Sequence, residues 1–96
     1  MRPSEALSLY RTQIREIALR HRVSGVRVFG SALHGDDAAG SDLDLLVDTQ
    51  PGATLFDLGG LQDELQELLG MPVDVLTPKD LPPRFRETVC SEARPL

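Results

Sequence analysis

Asp42 and Asp44 stand two positions apart in Ser41-Asp42-Leu43-Asp44-Leu45-Leu46, with nine residues between Ser31 of an upstream Phe29-Gly30-Ser31 and Ser41. If the second stretch is a strand, its alternation puts both carboxylates on one side, with Cα atoms about 6.5 to 7 Å apart, close enough to hold a cation between them. Asp74, set between the strand formers Val73 and Val75, adds a third carboxylate if its strand lies beside that of Asp42. Three hard oxygen donors suit Mg²⁺ or Mn²⁺, ions that are shared with phosphates. Gly30-Ser31 would end a strand and begin a helical turn, where backbone N–H groups attract anions and glycine lets a phosphate approach. Two ions about 3.5 to 4 Å apart can activate an attacking oxygen and steady a leaving pyrophosphate. The acids and the glycine turn are then two halves of one phosphate-handling site.

Other patterns fail on particular residues. Gly30-x4-Gly35 imitates a P-loop, but Asp36-Asp37 stands where Lys and Ser or Thr are required, and the chain holds no G-x-G-x-x-G. Neither Asp36, Asp37 nor Asp42 opens an EF-hand loop with Glu at its twelfth place. A D-x-D on an edge strand is, taken alone, more often a solvated face than a metal site. Asp48 shares the face of Asp42 and Asp44 but lies too far along the strand to ligate with them. Asp36 and Asp37 read as surface-loop residues.

The elements that must position these groups follow from periodicity. Ser4 can cap a helix running from about Ser4 to Arg22, whose stripe is Leu7, Tyr10, Ile14, Ile17 and His21. Val26–Phe29 is a short β-branched and aromatic strand after Gly25, and Asp42–Asp48 a second, with Leu43, Leu45 and Val47 opposite the acids. Leu55, Leu58, Leu61, Leu65 and Leu68 make a helical stripe ending at Gly70, weakened near its start by Gly59-Gly60 at about 1 kcal/mol per glycine. Pro72–Thr77 is a third strand, Thr77-Pro78 an N-cap and N1 pair, and Arg84–Ala93 a last helical segment. The expected fold class is α/β (α+β): a small mixed β-sheet with helices packed on one face, in a single domain over residues 1–96.

Composition narrows the function classes. The net charge is −5, and all ten Lys and Arg lie in residues 2–27 or 79–94, while residues 28–78 hold ten of the fifteen acids. A stable nucleic-acid track is not expected from such a middle, which becomes hospitable to a triphosphate only through metal ions. No apolar run approaches the roughly 18 to 20 residues of a membrane span, and there is no secretory h-region, so no membrane partner is expected and a cytoplasmic location is. Cys90 has no internal partner and reads as a small apolar filler.

Taken together, Phe29-Gly30-Ser31, nine intervening residues, Ser41-Asp42-Leu43-Asp44-Leu45-Leu46 and Asp74 about thirty residues on resemble the nucleotidyltransferase domain of the DNA polymerase β superfamily. The short chain and its ending, Glu92-Ala93-Arg94-Pro95-Leu96, look most like the minimal nucleotidyltransferases, the MNT or MntA-like antitoxins encoded beside HEPN-domain toxins. That resemblance implies a polymerase β-like fold, ATP as substrate and two Mg²⁺ ions, with Mn²⁺ as substitute. It implies that Gly30, Ser31 and Ser41 meet the nucleotide, and that Asp42 and Asp44 ligate both metals. Asp74 would complete the catalytic metal site and act as, or assist, the base for the incoming hydroxyl. It also implies transfer of AMP to a tyrosine of a HEPN-domain toxin, which silences the toxin. The family often reads Gly-Ser-x-Ala-Arg-Gly, and here Leu33-His34-Gly35 departs from it. His34 thus replaces a basic residue and either contacts phosphate when protonated or lies on the surface.

Two other functions compete with this one. A binding module would neutralise the toxin by contact alone, through the amphipathic first helix and the arginine-rich termini. Transfer to a small molecule or RNA would need a second domain to hold the acceptor. A homo- or hetero-oligomer is compatible with each.

Overall fold

The computed structural model describes residues 1–96. In chain order it contains α1 (Pro3–Arg20), β1 (Val23–Phe29), α2 (Ser31–His34), β2 (Leu43–Thr49), α3 (Leu55–Leu69), β3 (Val73–Leu76), a 3-10 turn (Pro78–Asp80), α4 (Pro83–Glu92) and β4 (Arg94–Pro95). The sheet order is β3-β2-β1-β4, with β1 antiparallel to β2 and β4, and β2 parallel to β3. A parallel pair needs a crossover, which α3 provides.

Central β2 is apolar on both faces: Leu43, Leu45, Leu46 and Val47 are all fully buried. Leu43, Leu45 and Val47 meet Ile14 and Ile17 of α1 and Leu61 and Leu65 of α3 in the main core, while Leu46 points the other way and, like Leu81, lies outside it. Thus α1 and α3 take one face as expected. The opposite face is also covered, which no periodicity in the chain predicts: there Arg27 Nη1 of β1 donates to the Cys90 carbonyl of α4 (3.4 Å). No residue of α4 is fully buried, though Arg86, Val89 and Cys90 are half-buried. Arg86 ties its first turns to the carbonyls of Pro78 (2.8 Å) and Leu81 (3.2 Å).

Several boundaries move for local reasons. Helix α1 begins at Pro3 with Arg2 as its N-cap, not Ser4, because the Ser4 N–H is taken by a distant carboxylate. It ends two residues early, and Arg22 turns the chain with φ 61. Strand β1 begins at Val23, running through Gly25 with a register shift in its pairing to β2. Gly60, inside α3, lets His21 approach: an added Cβ would stand 3.1 Å from the imidazole. That explains a glycine in a helix it intrinsically weakens. Strand β4, only two residues long and containing Pro95, carries no periodic signal and sits at an edge where proline is tolerated.

No helix is long and apolar enough to cross a membrane.

Candidate active site

The register of β2 and β3 decides where the acids meet. Asp44 pairs laterally with Asp74, Leu43 with Val73 and Leu45 with Val75. Neighbours in register project to the same side of a sheet, about 4.8 Å apart between strands. Val73 and Val75 are buried while Asp74 is exposed, so both aspartates are on the face away from α1 and α3. Asp42 lies one residue before β2 and is exposed; Asp44 is half-buried. The position of Asp74 is secured from outside the sheet. Gln66 Oε1 accepts the Val73 N–H and Gln62 Oε1 the Val75 N–H, both at 3.1 Å, closing the free edge of β3 with side chains from α3.

Asp44 is the electrostatic centre. Its carboxyl is held above the ordinary carboxylate range, first by burial, then by the charges of Asp74 and Asp42, and by a hydrogen bond to Asp74 that favours the protonated form. None of the three acids belongs to any of the chain's ion pairs. No three His, Cys, Asp or Glu side chains converge into a ready-made cage. The donor set nevertheless fits a hard divalent cation: these are carboxylate oxygens, they repel one another, and no protein cation answers them. A bound ion would answer both the burial of the Asp44 charge and its repulsion by Asp74 and Asp42.

Phe29, the residue before Gly30, pairs with Asp44 across β1 and β2. Gly30 has φ 77, and a Cβ there would collide with Asp44 Oδ2 and lie 3.2 Å from its Cγ. Only glycine satisfies both the backbone and the space. Gly30 caps α2, and its carbonyl accepts the N–H groups of Leu33 (3.2 Å) and His34 (3.4 Å). The N–H groups of Ser31 and Ala32 at the start of the turn have no intrahelical acceptor. The two halves expected from sequence are therefore in contact, the glycine turn directly against the half-buried acid.

Other candidates take different places. The Ser41 hydroxyl accepts the Ala38 N–H (3.0 Å) and closes a turn just before Asp42. His34, at the far end of α2, is about half exposed, with Nε2 3.5 Å from Glu92 Oε2. Asp48 is 3.5 Å from Arg27 Nη2, an ion pair and not a ligand. Asp37, read as a loop residue at the surface, is 6% exposed, and its carboxylate accepts the Ser4 backbone N–H (2.7 Å) and hydroxyl (3.1 Å). The Ser4 N–H is the main cause that holds the Asp37 carboxyl below the ordinary range. No sequence signal points to it, because its partner lies 33 positions away.

Comparison with known proteins concerns the chain as a whole. The model of the nucleotidyltransferase domain family matches residues 11–96. The chain is 39% identical over 77 residues to a Methanocaldococcus jannaschii protein named as a candidate protein adenylyltransferase, covering 80% of this chain and 83% of that one. It is 33% identical over 86 residues to the protein adenylyltransferase MntA of Thermococcus cleftensis, covering 90% and 84%. A solved structure described as a candidate minimal nucleotidyltransferase superposes with TM-score 0.85 at 43% identity, over 97% of this chain and 95% of that one. A crystal structure of a toxin–antitoxin with AMP-PNP shares the fold, with TM-score 0.73 at 17% identity, over 88% of this chain and 69% of that one.

Proposed function

The chain belongs to the nucleotidyltransferase domain family and is an enzyme of that class, and from this premise we propose that it moves AMP from ATP onto a tyrosine hydroxyl of a HEPN-domain toxin, acting as that toxin's antitoxin. The observation that carries the reading is the contact of the Gly30 turn with Asp44, in lateral register with Asp74. The choice of AMP draws on the relatives named as protein adenylyltransferases, and that of a toxin on the resemblance to MntA-like antitoxins and the toxin–antitoxin crystal structure of the same fold. In this reading residues 1–96 form one catalytic domain.

Each residue has a task set by its surroundings. Amide groups at Gly30-Ser31 orient the triphosphate, and the missing side chain at residue 30 leaves the Asp44 carboxylate beside it. Asp42, Asp44 and Asp74 would hold Mg²⁺, which supplies charge neutralisation and polarisation of the phosphate oxygens. Asp74, more exposed than Asp44, is open to an incoming hydroxyl and receives or helps remove its proton. The hydroxyl oxygen then bonds to the α-phosphorus, the bond to the β-phosphate breaks, and pyrophosphate leaves.

Incubation with ATP, Mg²⁺ and the toxin encoded by the neighbouring gene should add one AMP to the toxin by intact mass. Wild-type protein that adds none refutes transfer. Asp42→Asn with Asp44→Asn should abolish both the addition and neutralisation; a folded double variant that still neutralises the toxin would establish antitoxin action by contact.

A further inference from the structure

We infer that Asp37 is a positioning residue for nucleotide binding, pinning to α1 the loop that joins the glycine turn to the metal-binding acids. The inference rests on the nucleotidyl-transfer reading of the site, and adds to it a residue that touches neither nucleotide nor metal.

Residues 35–41 connect α2, which carries Ser31, to the strand approach that carries Asp42. Asp37 is the only buried residue between Ala32 and Leu43. The loop therefore has no apolar anchor, and its fixed point is a carboxylate. A carboxylate withdrawn from water is tolerated only when its acceptors are satisfied. Here Oδ2 accepts the Ser4 N–H and Oδ1 the Ser4 hydroxyl, in the first turn of an 18-residue helix whose N-terminal end favours negative charge.

The pin lies between the two halves of the site. On one side, Asp36 N–H donates to the Ser31 carbonyl (3.1 Å). On the other, the Ala38–Ser41 turn, closed by Ser41 N–H to Ala38 O (3.0 Å) and Ala38 N–H to Ser41 Oγ (3.0 Å), delivers the chain to Asp42. Releasing Asp37 frees both connections at once, so the triphosphate turn and the first metal ligand lose their fixed relation. Sub-ångström errors of that kind are costly at sites that bind by preorganised amides and ligands.

The test uses the non-transferable analogue α,β-methylene-ATP with Mg²⁺, measured by calorimetry. Asp37→Ala should raise its dissociation constant roughly ten-fold, as loss of a charged hydrogen-bond anchor predicts. Asp37→Asn, whose amide oxygen still accepts the Ser4 N–H, should recover most of that loss. Ile14→Val, a trimmed core side chain of the same helix, supplies a control in which general destabilisation leaves analogue affinity within about two-fold. Hydrogen exchange at amides 36–42 should quicken in Asp37→Ala and not in Ile14→Val. If wild type binds the analogue and Asp37→Ala binds it equally, or Ile14→Val weakens it as much, the positioning role is overturned while the transferase reading stands. Wild type that binds no nucleotide overturns both.

Discussion

The carboxylate of Asp44 rests directly against Gly30, so closely that any side chain at residue 30 would claim the space of Oδ2. Two features 14 positions apart in sequence are thereby one object. The strand pairing of Phe29 with Asp44 creates the contact, and the positive φ of Gly30 turns the chain away from it into α2.

Gly30→Ala should therefore fail twice, by backbone strain and by displacing the acid. A non-glycine residue held in such a conformation costs on the order of 1–3 kcal/mol, and the displaced carboxylate should lower transfer by about a hundred-fold or more. Thermal unfolding and AMP incorporation measure the two losses. In an Asp44→Ala background the collision is gone, so Gly30→Ala should cost less stability there than in wild type. Additive losses would mean that the two residues are independent.

Asp44 should trade stability for function. Its folded-state pKa is raised by burial and by Asp74 and Asp42, so its contribution to stability is complete below the unfolded-state value and is lost as pH rises through the folded-state value. At neutral pH the ionised group is held at a cost. Asp44→Asn should accordingly unfold a few degrees higher than wild type at pH 7 without metal, the difference vanishing in acid. Millimolar Mg²⁺ should raise the midpoint of wild type and leave the variant unmoved. A variant less stable than wild type at pH 7 would contradict the charge repulsion inferred among the three acids.

What the sequence revealed and what it hid divide along a physical line. Alternation in Leu43-Asp44-Leu45 and in Val73-Asp74-Val75 was enough to place the acids opposite the core, because burial of one strand face enforces that period. The lateral register of Asp44 with Asp74 was not legible, since pairing between strands depends on the crossover and on tertiary contacts such as Gln62 and Gln66 against β3. Asp37 was hidden for the same reason: its partner Ser4 is 33 positions away, and no local pattern encodes that distance. β4 escaped because a two-residue strand has no period; α4 is legible as a helix over Arg84–Ala93, but its seat on the face opposite α1 and α3 is not, because no residue of it is fully buried.

His34 closes the short α2 turn, and its surroundings argue for a minor part. It is about half exposed and 3.5 Å from Glu92, a spacing and exposure at which ion pairs contribute little. His34→Ala should keep transfer within about three-fold of wild type, and His34→Arg should not exceed wild type by more than that. A larger loss on alanine substitution, seen as a rise in KM for ATP, would give the imidazole a phosphate contact in the working complex.

The seam between α1 and α3 should make the fold sensitive to acid independently of the site. Glu64 Oε1 accepts a hydrogen bond from His21 Nε2 (2.9 Å), and Oε2 one from Arg20 Nη2 (2.6 Å). The bond from His21 is the first cause holding the Glu64 carboxyl below its ordinary value; partial burial opposes it and Arg20 adds to it. A depressed carboxylate contributes stability that is present above the unfolded-state pKa and is lost as pH falls through the folded-state one. Glu64→Gln should thus lower the unfolding midpoint at pH 7, with the gap to wild type closing as the pH is taken below the ordinary glutamate value of 4.5. Because Glu64 lies on α3, away from Asp42, Asp44 and Asp74 on the other face of the sheet, transfer measured well below the unfolding temperature should be unchanged. A gap that persists undiminished in acid would show that Glu64 holds the seam by packing and not by its charge.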